Sequence, residues 1–366
     1  MHAVFSERLF GMKIDSIDNF RTASGTILIA GPCSAESEEQ LMEVAAALSG
    51  RGVTLFRAGL WKPRTRPGCF EGVGKEGLPW LRRVKEELSM PVTTEVATAE
   101  HVELALAAGV DVLWIGARTT TNPFAVQEIA EALRGCDVPV LVKNPVNPDI
   151  ELWIGALERL GNVGVTRLGA IHRGFSSYGE KYFRNAPQWQ LPMELHRRLP
   201  DLPLLCDPSH IAGKRELVSM LAQQALDLNF DGLMIETHSN PVCALSDARQ
   251  QVTPDELSII MGRLVHRSAE ASESDFAAYR KRIDEIDESI MELLVKRMQV
   301  SREIAEIKRE KGLAVFQPYR YSGTMQRYAE FCEKGRLDAD SIKGIFEAIH
   351  SESIRQQLLI VNDSVE

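Results

Sequence analysis

From residue 26 to about 265, short runs of consecutive apolar residues alternate with stretches in which apolar side chains recur every three or four positions. The apolar runs fall at 26–30, 53–57, 92–95, 112–115, 140–143, 164–168, 203–206 and 232–235. Each is short and nearly continuous, as expected for strands buried on both faces of a parallel sheet. Amphipathic stretches such as 38–48, 78–88 and 125–133 separate them and predict helices. Eight β–α units in about 240 residues favour a closed TIM (β/α)8 barrel; an open doubly wound sheet is the second architecture compatible with the pattern.

The pattern changes at 266–274, where HRSAEASES is small and polar and predicts a linker. Residues 276–310 contain no Pro or Gly, and Phe276, Tyr279, Ile283, Ile286, Ile290, Leu293, Val300, Ile304 and Ile307 recur at helical spacing. This predicts one helix of about 35 residues, roughly 50 Å long. Further helical stretches are expected at about 319–334 and 339–359. The chain therefore divides into a barrel domain at 1–265, a linker at 266–275 and an all-α domain at 276–366. Two short helices leave much of a 50 Å helix uncovered, so a second copy of the chain is the expected cover, giving a homodimer.

Composition narrows the classes. The 366 residues are 44% hydrophobic, enough for a sizeable core, and carry a net charge of −9 with no long basic run, which argues against nucleic acid as a partner. No stretch approaches the ~20 apolar residues of a membrane span, and no apolar core of a signal peptide stands near the N-terminus. The six cysteines show neither a CxxC nor a tight framework, which points to a reduced, cytoplasmic setting. About 25 residues before the first strand leave no room there for a regulatory domain.

In a barrel, functional groups gather where strands end. These strands run into Gly31-Pro32-Cys33-Ser34, Arg57 with Lys62-Pro63-Arg64-Thr65, Gly116-Ala117-Arg118, Lys143, His172-Arg173-Gly174, Asp207-Pro208-Ser209-His210 and Glu236-Thr237-His238. Two sets emerge. Arg57, Lys62, Arg64, Arg118, Lys143 and Arg173 would repel one another unless anions bind between them, and guanidinium forks suit phosphate and carboxylate oxygens. Cys33, His210, Glu236 and Asp247 form a donor mixture typical of a divalent transition metal, with His238 competing for the place of His210, and Asp231 or Asp207 for that of Asp247.

Together GPCS (31–34), RAGLWKPRT (57–65), IGAR (115–118), Lys143, HRG (172–174), DPSH (207–210) and IETH (235–238) resemble 3-deoxy-D-arabino-heptulosonate 7-phosphate (DAHP) synthase, the first enzyme of the shikimate pathway. The resemblance spans 26 to about 262, and KPRT is its most specific motif. It implies condensation of phosphoenolpyruvate with erythrose 4-phosphate and a divalent metal, manganese first, with cobalt, zinc or iron as alternatives. The ligands would fall on Cys33, His210, Glu236 and Asp247, the phosphoenolpyruvate site on Arg57, Lys62, Arg118, Lys143 and Arg173, and the aldose phosphate site on Arg64 and Thr65. Lys62 would be the proton donor to the aldehyde oxygen. The sibling synthase that makes 3-deoxy-D-manno-octulosonate 8-phosphate from arabinose 5-phosphate shares part of these motifs.

On the long helix, Arg297 and Lys308 lie 11 residues apart and share a face with Leu293, Val300 and Ile304, where a cation is costly unless it binds something. Arg280 sits roughly 25 Å from Arg297 along the axis, too far to serve the same small ligand within one chain. This frame resembles the all-α chorismate mutases, intertwined dimers whose dicarboxylate substrate is held by both chains. The resemblance places Arg297, Lys308, Arg320, Ser353 and Gln357 in the site, with Arg280 from the other chain, and gives Arg297 and Lys308 the catalytic roles. Two acidic positions of the family are Gln317 and Tyr321 here, so a domain that only binds effector and dimerises is the alternative. Prephenate, the mutase product, is the expected feedback inhibitor of the barrel.

Overall fold

The computed structural model describes residues 13–22, 25–63, 68–267, 273–318, 323, 327, 331–332 and 335–362. The chain forms two compact units, Met1–Ala269 and Glu270–Glu366. In the first, eight parallel strands close into a barrel in sequence order: β1 Ile27–Gly31, β2 Leu55–Arg57, β3 Val92–Val96, β4 Val112–Ile115, β5 Val140–Lys143, β6 Leu168–His172, β7 Leu204–Cys206 and β8 Gly232–Glu236. Five register pairs from Ile27↔Gly232 to Gly31↔Glu236 join β1 to β8 and close the ring.

Alternation within each strand builds two cores. Ile27, Ile29, Leu55, Val112, Trp114, Leu141, Ile171, Leu205 and Met234 fill the barrel interior, while Leu28, Ala30, Phe56, Leu113 and Val142 pack outward against the helices. Ile17 and Phe20 belong to the inner cluster, so the segment before β1 plugs the end of the barrel where the strands begin. Arg21 pairs there with Asp231 at 2.7 Å.

The outer ring comprises α1 Glu38–Leu48, α2 Leu78–Leu88, α3 Ala99–Ala107, α4 Ala117–Thr120, α5 Pro123–Ala132, α6 Ile150–Asn162, α7 Gln190–Arg198, α8 Pro208–Ala212, α9 Val218–Asp227 and α10 Pro254–Arg263. Helix α5 starts two residues before the expected 125 because the Asn122 side chain accepts from the Phe124 and Ala125 N–H groups and proline occupies the first turn. One strand departs further from expectation. The run 164–168 is the exit of α6, where Gly164 takes φ +97° and the Val165 N–H donates to the Leu160 carbonyl. Strand β6 begins only at Leu168, so His172 is its last residue and Arg173 follows directly.

In the second unit α11 Glu273–Lys311 is a single helix of 39 residues, longer than the 35 expected, and α12 Ala339–Asn362 packs against it. The expected helix at 319–334 lies largely outside the described residues. Met298, Ser301, Ala305 and Lys308 of α11 are buried, as are Ser353 and Gln357 of α12. Phe276, Tyr279, Ile283, Ile286, Ile290, Leu293, Val300, Ile304 and Ile307 are 42–64% exposed in the single chain, an apolar seam far larger than scattered surface residues produce.

Candidate functional site

The carboxyl ends of the strands deliver one connected cluster. Gly31 ends β1 with φ +146°, and a Cβ there would lie 2.1 Å from the Arg57 carbonyl, so only glycine lets β1 and β2 meet where Cys33 turns inward. The Gln251 side chain fixes the Cys33 N–H at 3.0 Å. Donor atoms of Cys33, Glu236 and Asp247 lie within 4.8 Å of one another. His210 completes the group: its Nε2 stands 3.7 Å from Glu236 Oε1 and 4.0 Å from Asp247 Oδ2.

The DPSH turn explains why the histidine faces this way. Asp207 caps α8 by accepting from the His210 N–H at 3.0 Å, while its second oxygen meets His210 Nδ1 at 2.7 Å and Lys143 Nζ at 2.8 Å. With Nδ1 held by a carboxylate, Nε2 is the nitrogen presented to the cluster. Ser209 accepts from the Glu236 N–H at 3.0 Å, and Gln250 donates to Glu236 Oε2 at 2.6 Å. Glu236 Oε1 is buried, aimed into the cluster, and accepts no hydrogen bond. This oxygen meets the Arg57 guanidinium as an ion pair at 3.2 Å but takes no hydrogen bond, and its place beside a thiol, an imidazole nitrogen and a second carboxylate fits a divalent metal with mixed S, N and O ligands.

The alternatives weighed for two positions lie elsewhere. His238 accepts from the Asn240 N–H and turns its Nε2 toward Glu36 at 3.6 Å. Asp231 sits where β8 begins, paired with Arg21. Asp207 orients His210 and Lys143 from behind.

The cations surround the cluster. Arg57, nearly fully buried, pairs with Glu236 at 3.2 Å, donates to the Cys33 carbonyl and lies over the Trp114 ring at 4.9 Å. Its Nε and one terminal nitrogen have no hydrogen-bond partner, donors waiting for an acceptor. Lys62 donates to the Cys33 sulfur and stands 3.9 Å from Asp247. Burial alone would lower the Lys62 pKa, but Cys33, Glu236 and Asp247 raise it above the ordinary value, so the ammonium persists. Burial and the neighbouring Glu236 push the Cys33 thiol up. Arg173 donates to Asn185 at 2.7 Å; burial lowers its pKa to about 10, with Arg184 and Arg118 contributing and Asp207 opposing. A small cavity of about 50 Å³ lies between Lys62, Arg118, Arg173, His210 and Asp247. Arg64 and Thr65 lie outside the described residues.

Two members, Arg184 and Glu95, were missed from sequence. Arg184 lines this cavity and pairs with Asp247 at 3.3 Å, but it follows no strand directly, so strand-end reasoning passes over it. Glu95 in β3 also lines it, accepting from Trp114 Nε1 at 3.0 Å. A Cβ on Gly116 would fall 2.1 Å from the Glu95 carboxylate, so any side chain there would push Glu95 from this position.

A second site lies in the helical unit, a cavity of about 920 Å³. Arg297, Lys308, Gln317, Ser353 and Gln357 line it, with Phe331, Leu337 and Phe346 as apolar wall. Arg297 donates to Ser353. Lys308 donates to Gln357 at 2.9 Å and to the Val315 carbonyl at 2.6 Å, and Gln357 donates onward to Ser301. Burial lowers the Lys308 pKa. Arg280 does not line this cavity; its guanidinium lies over the Phe276 ring of its own helix at 5.8 Å. Arg320 and Tyr321 lie outside the described residues.

Residues 19–270 match the model of the DAHP synthetase I family, and residues 279–358 match that of chorismate mutase type II. A phospho-2-dehydro-3-deoxyheptonate aldolase of Thermotoga maritima is 37% identical over 225 residues, which cover 62% of this chain and 64% of that protein, less than two thirds of its length. A 2-dehydro-3-deoxyphosphooctonate aldolase of Geobacter metallireducens is 31% identical over 257 residues, 65% of this chain and 90% of that protein. A crystal structure of the T. maritima aldolase, also called DAHP synthase, aligns with TM-score 0.61 at 32% identity over 70% of this chain and 73% of that one. A truncated form of 3-deoxy-D-arabino-heptulosonate 7-phosphate synthase from T. maritima aligns at 0.59 and 29% identity, over 70% and 92%.

Proposed function

The chain belongs to the DAHP synthetase I family and carries a chorismate mutase type II segment behind its barrel, and we propose that it performs both reactions. The barrel would join phosphoenolpyruvate to erythrose 4-phosphate, and the helical unit would rearrange chorismate to prephenate. The observation that carries the first reading is a metal-fitting cluster ringed by cations at the strand ends of one barrel.

Cys33, His210, Glu236 and Asp247 would hold the divalent cation, manganese first, whose contribution is Lewis-acid polarisation of the aldehyde oxygen. The open donors of Arg57, with Arg118, Lys143 and Arg173, would bind the carboxylate and phosphate of phosphoenolpyruvate. Carbon 3 then attacks the aldehyde carbon, water adds at carbon 2, and the C–O bond to phosphate breaks. Lys62, kept protonated by its anionic neighbours, would deliver a proton to the aldehyde oxygen as it becomes a hydroxyl. Undiminished turnover in Lys62→Arg overturns that role. Arg64 and Thr65 would take the aldose phosphate. The deciding assay follows phosphoenolpyruvate consumption with erythrose 4-phosphate or arabinose 5-phosphate, with and without chelator. Preference for arabinose 5-phosphate would overturn the substrate reading.

In the helical unit Arg297 and Lys308 would hold the dicarboxylate folded, with Lys308 near the breaking ether oxygen where negative charge develops. Ser353 and Gln357 orient those cations; Arg320 and the partner's Arg280 would complete the site, so the working form would be a homodimer sealed along the exposed α11 seam, in the cytoplasm. Without the two family acids at Gln317 and Tyr321, the unit could instead bind and report. Loss of chorismate absorbance on adding the protein separates the two. Prephenate held there would inhibit the barrel; a chain lacking 270–366 that stays prephenate-sensitive would falsify this.

A further inference from the structure

The helical cavity holds a titratable side chain that the reading above leaves without a role. His350 on α12 precedes Ser353 by three residues and Gln357 by seven, which puts all three on one helix face, and all three line the cavity. Ser353 and Gln357 are the residues that accept from Arg297 and Lys308, so His350 sits on the face to which both cations are tied. The charged and titratable groups sharing the lining are Arg297 and Lys308 of α11, Arg327 and Cys332. The Phe316 ring stands 6.3 Å from the imidazole. On α12 itself Glu347 and Glu352 pair with Lys343 and Arg355. No carboxylate is among the described lining residues, so His350 is the one described lining group whose ordinary titration falls near neutrality.

We propose that His350 couples this cavity to protons: it is neutral while the cavity is open and takes up a proton when a dicarboxylate settles between Arg297 and Lys308, its ring N–H then donating to the ligand. The proposal rests on reading the cavity as a dicarboxylate site. Electrostatics supply the cause. Burial, then repulsion from Arg297 and Lys308, holds the His350 pKa below its ordinary value. A dianion neutralises both cations and adds attraction, lifting that pKa. The liganded state then binds the proton more tightly. By linkage, affinity rises as pH falls through the liganded pKa and levels off below the open-cavity pKa, by about tenfold for each unit of lift. A monoanion cancels less of the field and gives a smaller effect.

The test is calorimetric titration of the full chain with prephenate at several pH values between 6 and 8, each in two buffers of different ionisation enthalpy. The expected result is buffer-dependent enthalpy equal to a sizeable fraction of one proton taken up per site, with binding several-fold tighter at pH 6 than at pH 8, by about the linkage factor above. His350→Leu and His350→Asn should both bind with no proton uptake and a flat pH profile; the second guards against an effect of lost polarity. Equal enthalpies in both buffers for the wild-type chain, or uptake surviving in both variants, overturns the proton coupling alone. Absence of prephenate binding to the wild-type chain overturns the dicarboxylate reading and the coupling with it.

Discussion

In the barrel, most reactive side chains are held by a neighbour from another strand, and His210 by a residue of its own turn. Asp207 after β7 holds His210 and Lys143 of β5, Arg57 of β2 pairs with Glu236 of β8, and Gln251 fixes Cys33 after β1. In the helical unit both cations stand on α11 and donate to α12, the cavity is about 920 Å³ against about 50 Å³, and the apolar seam of α11 is exposed. Among the described residues, one site is held together within a single chain, while the other stands on a helix whose apolar seam is exposed. The difference follows from topology. Closing a sheet into a ring forces distant segments together, whereas a long helix presents more surface than its own chain can bury.

The largest expected effect separates the two sites outright. Chelation, or Glu236→Ala, should lower phosphoenolpyruvate consumption with erythrose 4-phosphate by about 10³-fold or more, since a Lewis acid contributes several kcal/mol. Chorismate loss, followed by absorbance, should stay within about twofold. If chelation stops both reactions equally, the sites are not independent in the way their construction implies. Next, Lys308→Ala should lower chorismate turnover by about 10²–10³-fold, the scale of removing one preorganised donor from developing charge, while leaving barrel turnover intact. Third, Ile283→Asp with Ile290→Asp would place charges in the α11 seam. Sedimentation should show a smaller species, and chorismate turnover should fall by about tenfold or more as Arg280 of the second copy is withdrawn, with uninhibited barrel turnover retained. A variant that stays mutase-active as a monomer breaks the comparison.

How much was legible from sequence divides along the same line. Seven of the eight strands and the ends of α1 and α2 could be read because parallel strands are continuous apolar runs and helices are periodic. The run at 164–168 misled because Val163 and Val165 pack at a helix exit and are as apolar as a strand; Gly164, with its left-handed turn, was the overlooked signal. Strand ends named the cations and metal-type donors, since barrel topology converts "after a strand" into "at one rim". Arg184 escaped that rule because it sits in a loop well past its strand, so its approach to the cavity is a tertiary fact, whereas Glu95 closed the expected run 92–95 and was passed over although the rule reaches it. In the helical unit periodicity placed the Arg297–Lys308 face, and the length of the helix against its two short neighbours gave the expectation of an uncovered seam.

Two histidines give the smallest and most discriminating contrast. His172 ends β6 fully buried among Trp153, Phe175, Trp189 and Phe230, next to Arg173. Burial, then Arg173, lowers its pKa to about 3. The unfolded chain returns it to its ordinary value near ~6.5. Between those limits the unfolded state binds a proton that the folded barrel does not, so stability is full above about pH 6.5 and declines as pH falls toward 3, by about 1.4 kcal/mol per unit from this one group. His172→Phe should remove that share of the slope, read as a smaller drop in the barrel's thermal midpoint between pH 6.5 and 4.5 than in the wild-type chain. His350 is also held below its ordinary value, but beside an open cavity, so its proton should follow ligand rather than unfolding. An equal slope in His172→Phe and wild type would mean the barrel relaxes to admit a charged imidazole, and the tightness inferred for that site would fail.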